Sequence, residues 1–160
     1  MLRSWRTDPG SYFEGCLEAQ HELYRLTHRA LVRKTYPMVK FSGGHNVQAR
    51  AIQEGLPDYV GVLFGGRAVL MEAKTWKARD CHTHRERMHQ AIQLQQWAQM
   101  GAAAGYLVGW RWHDQFDIRW YPMSGLDIRS DQHGEYLVFL RNEGVPVQSF
   151  DWLAVAMERD

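Results

Sequence analysis

Asp58, Glu72 and Lys74 of this 160-residue chain offer two carboxylates and an ammonium that a single site could use. Two carboxylates and the backbone carbonyl of Ala73 offer the hard oxygen ligands that Mg²⁺ takes, leaving positions for water and a phosphate. An ammonium on the same face would orient an attacking water or stabilise charge building up on the phosphate. Burying three charges is costly unless something offsets it, and a divalent cation would do so. A purely structural Asp/Glu/Lys cluster is the other reading of the same letters.

Either reading requires elements that bring the three together. Tyr59–Phe64 and Arg67–Thr75 are rich in Val, Leu and aromatic residues and are separated by Gly65 and Gly66, which predicts a β-hairpin. Parity decides the rest, since side chains alternate faces along a strand. A two-residue loop at Gly65 and Gly66 would put Asp58 on the opposite face from Glu72 and Lys74. A three-residue loop of Phe64, Gly65 and Gly66, with Gly66 left-handed, pairs Asp58 with Glu72 and makes the charges converge. That register places Val60, Val62, Ala68 and Leu70 on the charged face and Tyr59, Leu63, Val69 and Met71 on the other. Both faces are apolar, as in a strand pair covered on each side.

Pro57-Asp58 followed by Glu72-Ala73-Lys74 resembles the PD-(D/E)xK nuclease superfamily, and the details are similar to its RecU-type Holliday junction resolvases. The matching pieces come in order: Gly10-Ser-Tyr-Phe-Glu14, Asp58-Tyr-Val-Gly-Val62, Glu72-Ala-Lys74, His89-Gln90 and Phe150-Asp-Trp-Leu. The hairpin is one residue longer than the family's, Leu56-Pro57 replaces small hydroxyl residues, and the segment before it, a projecting stalk in the family, is shorter. The resemblance implies a restriction-endonuclease-like α/β fold with a central mixed sheet flanked by helices. It implies a metal-dependent endonuclease that resolves four-way DNA junctions by paired phosphodiester hydrolysis with Mg²⁺ or Mn²⁺, acting as a homodimer. The site residues it implies are Asp58, Glu72 and the Ala73 carbonyl on the metal, Glu14 assisting, Lys74 stabilising or orienting, and Gln90 supporting. Gly55-Leu-Pro-Asp58, Glu72-x-Lys74 and Gln93 or Gln96 with Trp97 also resemble the VRR-type nuclease domain, which acts on flaps or duplex. A DNA-binding module without catalysis is a third alternative.

The length suits one domain, residues 1–160, with a real core. The hydrophobic fraction of 45% and charged fraction of 23% are those of a soluble globular protein. No apolar run approaches membrane-spanning length and the first ten residues do not read as a signal peptide, so a cytoplasmic protein is expected. Cys16 and Cys81 give no disulfide framework. The net charge of +1 conceals an asymmetry: from His28 to Arg87, eleven Lys and Arg face five acids, a balance of +6. A basic segment around the site suits a phosphate backbone, although a solvated face would read the same way. Its candidate DNA contacts are Arg33, Lys34, Lys40, His45, Arg50, Lys77, Arg79, Arg85 and Arg87.

Asp8-Pro9 predicts a helix start, and Phe13, Leu17, Tyr24, Ala30 and Leu31 recur near helical spacing, extending the helix to about Val32. Tyr36–Ser42 reads as a weak strand, Gly43–Asn46 as a turn, and Val47–Gln53 as a short helix or strand within an arm. Cys81, His82, His84 and His89 could supply four zinc ligands, but their spacing matches no common finger, and a polar connecting loop is preferred. Arg85–Met100 reads as a second helix. Tyr106–Trp112 and Phe116–Tyr121 read as strands, Leu126–Asp131 as a short helix, Tyr136–Leu140 as a strand, and Trp152–Glu158 as a helix capped by Asp151. The seven tryptophans suggest an apolar surface for a second subunit, with Phe116–Trp120 and the helix near Tyr24 as its candidates.

Overall fold

Helix α1, Pro9–Leu26, begins as its sequence dictates: Asp8 accepts a hydrogen bond from Ser11 N (3.0 Å) and proline occupies the first turn, where a missing N–H costs nothing. The computed structural model describes residues 8–36, 39–42, 48–51, 56–78, 83–88, 91–112 and 115–157. Phe13, Leu17, His21 and Tyr24 form the buried stripe of α1. The helix stops earlier than its periodicity suggests. Thr27 Oγ1 donates to Leu23 O (2.7 Å) and His28 adopts a left-handed φ of 56°, so the chain reverses and Ala30–Lys34 runs as strand β1. Ala30 and Val32 pack under α1, while Leu31 and Arg33 face the other side of the sheet.

The strands that follow are β2 (Val39–Ser42), β3 (Gln48–Ala51), β4 (Tyr59–Leu63), β5 (Ala68–Lys77) and β6 (Thr83–Arg87). Helix α2 (Ala91–Gln99) leads to β7 (Ala103–Trp112), β8 (Gln115–Pro122), β9 (Asp127–Asp131), β10 (Gly134–Leu140), β11 (Val145–Pro146) and helix α3 (Leu153–Met157). The central sheet has six strands in the order β1-β4-β5-β7-β8-β11. Among the described residues, β5 and β7 are the strands of this sheet that pair in parallel, across the connection that carries β6 and α2, so the sheet is mixed. Strands β2 and β3 pair as a separate ribbon, which assigns the ambiguous stretch after Asn46 to a strand; the turn at 43–46 lies outside the described residues.

The hairpin has the three-residue loop that parity requires. Tyr59 pairs with Met71 and Val62 with Ala68, Leu63 N donates to Arg67 O (2.8 Å), and both Gly65 and Gly66 have φ of +93°. Tyr59, Leu63, Val69 and Met71 join the core under α1 and α3, whereas Leu70, Val60 and Ala68 pack towards α2. Gly61 is needed where β4 crosses β1, because a Cβ there would stand 2.2 Å from Leu31 O.

Two segments depart from the sequence reading for one reason. Arg85–Arg87 belongs to β6 rather than to the start of α2, and Asp127–Asp131 is a strand rather than a helix. Both are polar strands that take their conformation from β10, which they flank in the order β6-β10-β9. Leu137 and Phe139 of β10 press this small sheet onto Trp76, Tyr106 and Tyr121, with Phe139 ring centroids 5.0–5.2 Å from theirs. A separate departure concerns the tryptophans. Trp110, Trp120 and Trp152 are fully buried, as is Tyr24, so the expected dimer candidates around Trp120 and Tyr24 are core.

Candidate active site

The site is built where β4 begins. Thr35 N donates to Asp58 O (2.8 Å) and Thr35 Oγ1 to Pro57 O (2.6 Å), which ties the entry of β4 to the end of β1. Carried one step past the Tyr59–Met71 pair, the register sets Asp58 opposite Glu72. The two then lock each other's main chain: Asp58 N donates to Glu72 Oε2 (3.2 Å), and Ala73 N donates to Asp58 Oδ2 (3.0 Å). Lys74 Nζ completes the set 2.9 Å from Glu72 Oε1. Ala73 lies just past the paired part of β4, and the N–H and C=O of a strand residue leave on one edge, so its carbonyl faces the same side as Asp58.

Glu72 is only 5% exposed, and among the described residues it shares the class of buried polar groups with His21 alone. Burial pushes its carboxyl above the usual range, and the neighbouring Asp58 charge adds to this, against the pull of Lys74. Asp58 is pushed up as well, first by burial, against the Ala73 N–H and Lys74. Two carboxyls that resist ionisation beside a single ammonium suit a further cation. Among the described residues no three His, Cys, Asp or Glu side chains converge into a ready-made cage. Two carboxylates and one main-chain carbonyl nevertheless fit Mg²⁺, which keeps several of its own waters.

Glu14 stands apart from this pair. It lies on α1, under the opposite face of the sheet, and its carboxylate is ion-paired with Lys34 Nζ (2.7 Å), which also reaches Glu18 (3.5 Å). It is near enough to add to the upward push on Asp58. Gln90 lies outside the described residues, as do His45, Arg79, Cys81, His82 and His89. Of the basic residues, Arg33 is exposed on the carboxylate face, Lys77 is exposed at the end of β5, and Arg85 is exposed over the Tyr136 ring (5.0 Å). Lys40, Arg50 and Arg87 fall on β2, β3 and β6, and His84 on β6.

Two neighbours of the site were not singled out as site residues by sequence. Thr35 follows β1 and carries no chemical motif. Tyr106 reads as one apolar letter of a core strand, yet it is the register partner of Glu72 across β5 and β7. Its signal is a parallel pairing, which no local pattern encodes.

Residues 8–127 match the family model described as RecU, Recombination protein U. The structure is also similar to that of Hjc from Archaeoglobus fulgidus, described as a Holliday junction resolvase from an archaeal hyperthermophile. The TM-score is 0.53 with 16% identity, over 93% of this chain and 96% of that one, a likeness of fold. A comparison with curated protein sequences gives no match.

Proposed function

The chain belongs to the RecU family, and on that premise we propose that it is a metal-dependent endonuclease that resolves four-way DNA junctions by paired phosphodiester hydrolysis. The observation that supports this best is the three-residue loop of the β4–β5 hairpin, whose register gathers Asp58, Glu72 and Lys74 on one face. Asp58, Glu72 and the Ala73 carbonyl would hold Mg²⁺ or Mn²⁺, with Glu14 assisting from α1. The cation when bound supplies Lewis acidity and a water made nucleophilic near neutral pH.

The chain's own residues do the rest. The Ala73 N–H and Thr35 hold Asp58 in place before substrate arrives, so its orientation is prepaid. Lys74 turns its ammonium to the scissile phosphate and stabilises the charge that develops there. Arg33, Lys77 and Arg85 are exposed cations that hold the DNA backbone and set its register without reading sequence. The products are a 5′-phosphate and a 3′-hydroxyl.

Cleavage of a labelled four-way junction, beside duplex, flap and single-stranded DNA, with and without Mg²⁺, tests the proposal. Selective, Mg²⁺-dependent cutting of the junction is expected. Equal cutting of linear duplex would favour a VRR-like activity instead. Asp58→Asn and Glu72→Gln are expected to lose cutting by on the order of a thousandfold while still binding the junction, since phosphate contacts give affinity without chemistry. Retained cutting by both variants would overturn the site assignment.

A further inference from the structure

Tyr106 stands beside Glu72 on the carboxylate face, because register partners on adjacent parallel strands about 4.8 Å apart project to the same side. It is 0% exposed, its ring lies edge-on to Phe139 at 5.0 Å, and its hydroxyl has no hydrogen-bond partner. Leaving a buried hydroxyl unpaired costs stability, and proteins seldom do it without reason. Two other buried tyrosines are satisfied: Tyr24 donates to Asp151 Oδ1 (2.9 Å), and Tyr121 accepts from Trp110 Nε1 (2.9 Å) and donates to Leu140 O (3.1 Å). Among the described residues, the other buried tyrosine hydroxyl left unpaired is that of Tyr59, next to Asp58 on the opposite face.

The acceptor nearest in the register is one whose needs change during the proposed reaction. Glu72 Oε2 is held by Asp58 N and Oε1 by Lys74 Nζ. When the ammonium turns to the phosphate, Oε1 gives up that hydrogen bond while the side chain stays buried. We propose that Tyr106 is a positioning residue that takes over the hydrogen bond to Glu72 when Lys74 leaves it for the scissile phosphate, holding the carboxylate in its working orientation. The hydroxyl is suited to donate: burial, then the charges of Glu72, Glu86 and Asp58, push its ionisation well above the ordinary range, so it carries its proton at any working pH. Its unpaired state in the resting enzyme is a cost recovered when substrate engages.

The inference rests on the proposed reaction, and its test separates the two. Thermal melting without DNA or divalent ions compares Tyr106→Phe in two backgrounds, the natural chain and Lys74→Met, with Lys74→Gln in reserve if the first does not fold. In the natural background, deleting an unpaired buried hydroxyl should raise Tm by roughly 2–4 °C. In the Lys74→Met background Glu72 already lacks its ammonium and Tyr106 serves it, so the same change should lower Tm. Such a reversal of sign is a coupling that a merely structural tyrosine does not show. On junction DNA, Tyr106→Phe should lower kcat about tenfold and leave KM unchanged. The same sign in both backgrounds, or an unaltered kcat, overturns the role of Tyr106. If the natural protein cuts no junction, the functional proposal falls, and the melting comparison still decides Tyr106.

Discussion

Asp58 and Glu72 carry the electrostatic tension of the molecule, and pH exposes it. Burial holds both carboxyls above their usual range. A carboxyl whose folded pKa exceeds its unfolded value binds its proton more tightly in the native state. Its contribution to stability is therefore present below the ordinary carboxylate range and is lost as pH rises through the raised folded value. Metal-free protein should accordingly weaken as pH climbs from about 4 towards neutrality, so far as these two groups dictate. Asp58→Asn removes one charge and keeps an acceptor for Ala73 N, so it should raise the urea midpoint at pH 7 and flatten that dependence. Mg²⁺ should stabilise the natural protein more than this variant, because binding to the native state alone shifts the equilibrium by mass action. Denaturant titrations at several pH values, with and without Mg²⁺, check both expectations. A dependence of the midpoint on pH that is the same in Asp58→Asn and Glu72→Gln as in the natural protein would oppose them.

At the scale of elements, the decisive joint ties α1 to the end of the chain. Trp152 Nε1 donates to His21 Nε2 (3.2 Å), Tyr24 donates to Asp151, and Arg29 pairs with Asp151 Oδ2 (3.0 Å). This explains the Phe150-Asp-Trp-Leu run: Phe150 packs on Phe13 (5.4 Å) and Asp151 caps α3 through the Ala154 N–H. His21 is packed among Tyr24, Tyr59 and Trp152 and borders a cavity with Glu18, Glu22 and Arg25. Burial pushes its pKa down to about 4. A histidine held below its unfolded value of about 6.5 contributes stability above that pH and loses it as pH falls towards 4, the opposite sense to the carboxyls. The loss amounts to roughly 3 kcal/mol when complete. His21→Gln retains an acceptor for Trp152 and cannot titrate, so its denaturation midpoint should change less between pH 6.5 and 4 than that of the natural protein. An unchanged acid slope in this variant would show that the joint does not depend on neutral His21.

The whole molecule poses a question of symmetry. A four-way junction has near two-fold symmetry, so paired cuts need two sites related by a two-fold axis, and one chain supplies one site. We therefore expect a homodimer. Since Trp110, Trp120 and Trp152 are spent inside the core, its surface must come from elsewhere. Leu31 and Val62, which are register partners on β1 and β4, are exposed on the carboxylate side of the sheet, as are Ile92 and Trp97 on α2. An isologous contact through part of this apolar surface would bring two basic segments onto one DNA-binding face. Sedimentation should find a dimer at working concentrations, and Leu31→Asp with Val62→Asp should shift it to monomer. A mixed dimer with one Glu72→Gln subunit should nick one strand of the junction. A monomer that resolves junctions symmetrically would refute this arrangement.

Features that depend on near neighbours are legible in the order of the residues. Asp8-Pro9 starts α1 through a cap that acts within one turn, and Gly65-Gly66 closes a hairpin whose parity puts Asp58, Glu72 and Lys74 on one face. Runs rich in Val, Leu and aromatic residues marked β4, β5, β7 and β8 because their own side chains carry the signal. Features that depend on distant partners emerge only from the fold. Ala30–Lys34 is a strand because β4 pairs with it, not because its spacing forbids a helix. The polar strands β6 and β9 exist through the ladder with β10, so neither residue type nor period betrays them. Glu14 meets Lys34 because α1 folds back over β1, and Tyr106 meets the flank of Glu72 because the sheet order sets β7 beside β5. Conformational preference acts over a few residues, whereas strand pairing spans tens, and the second cannot be read from the first.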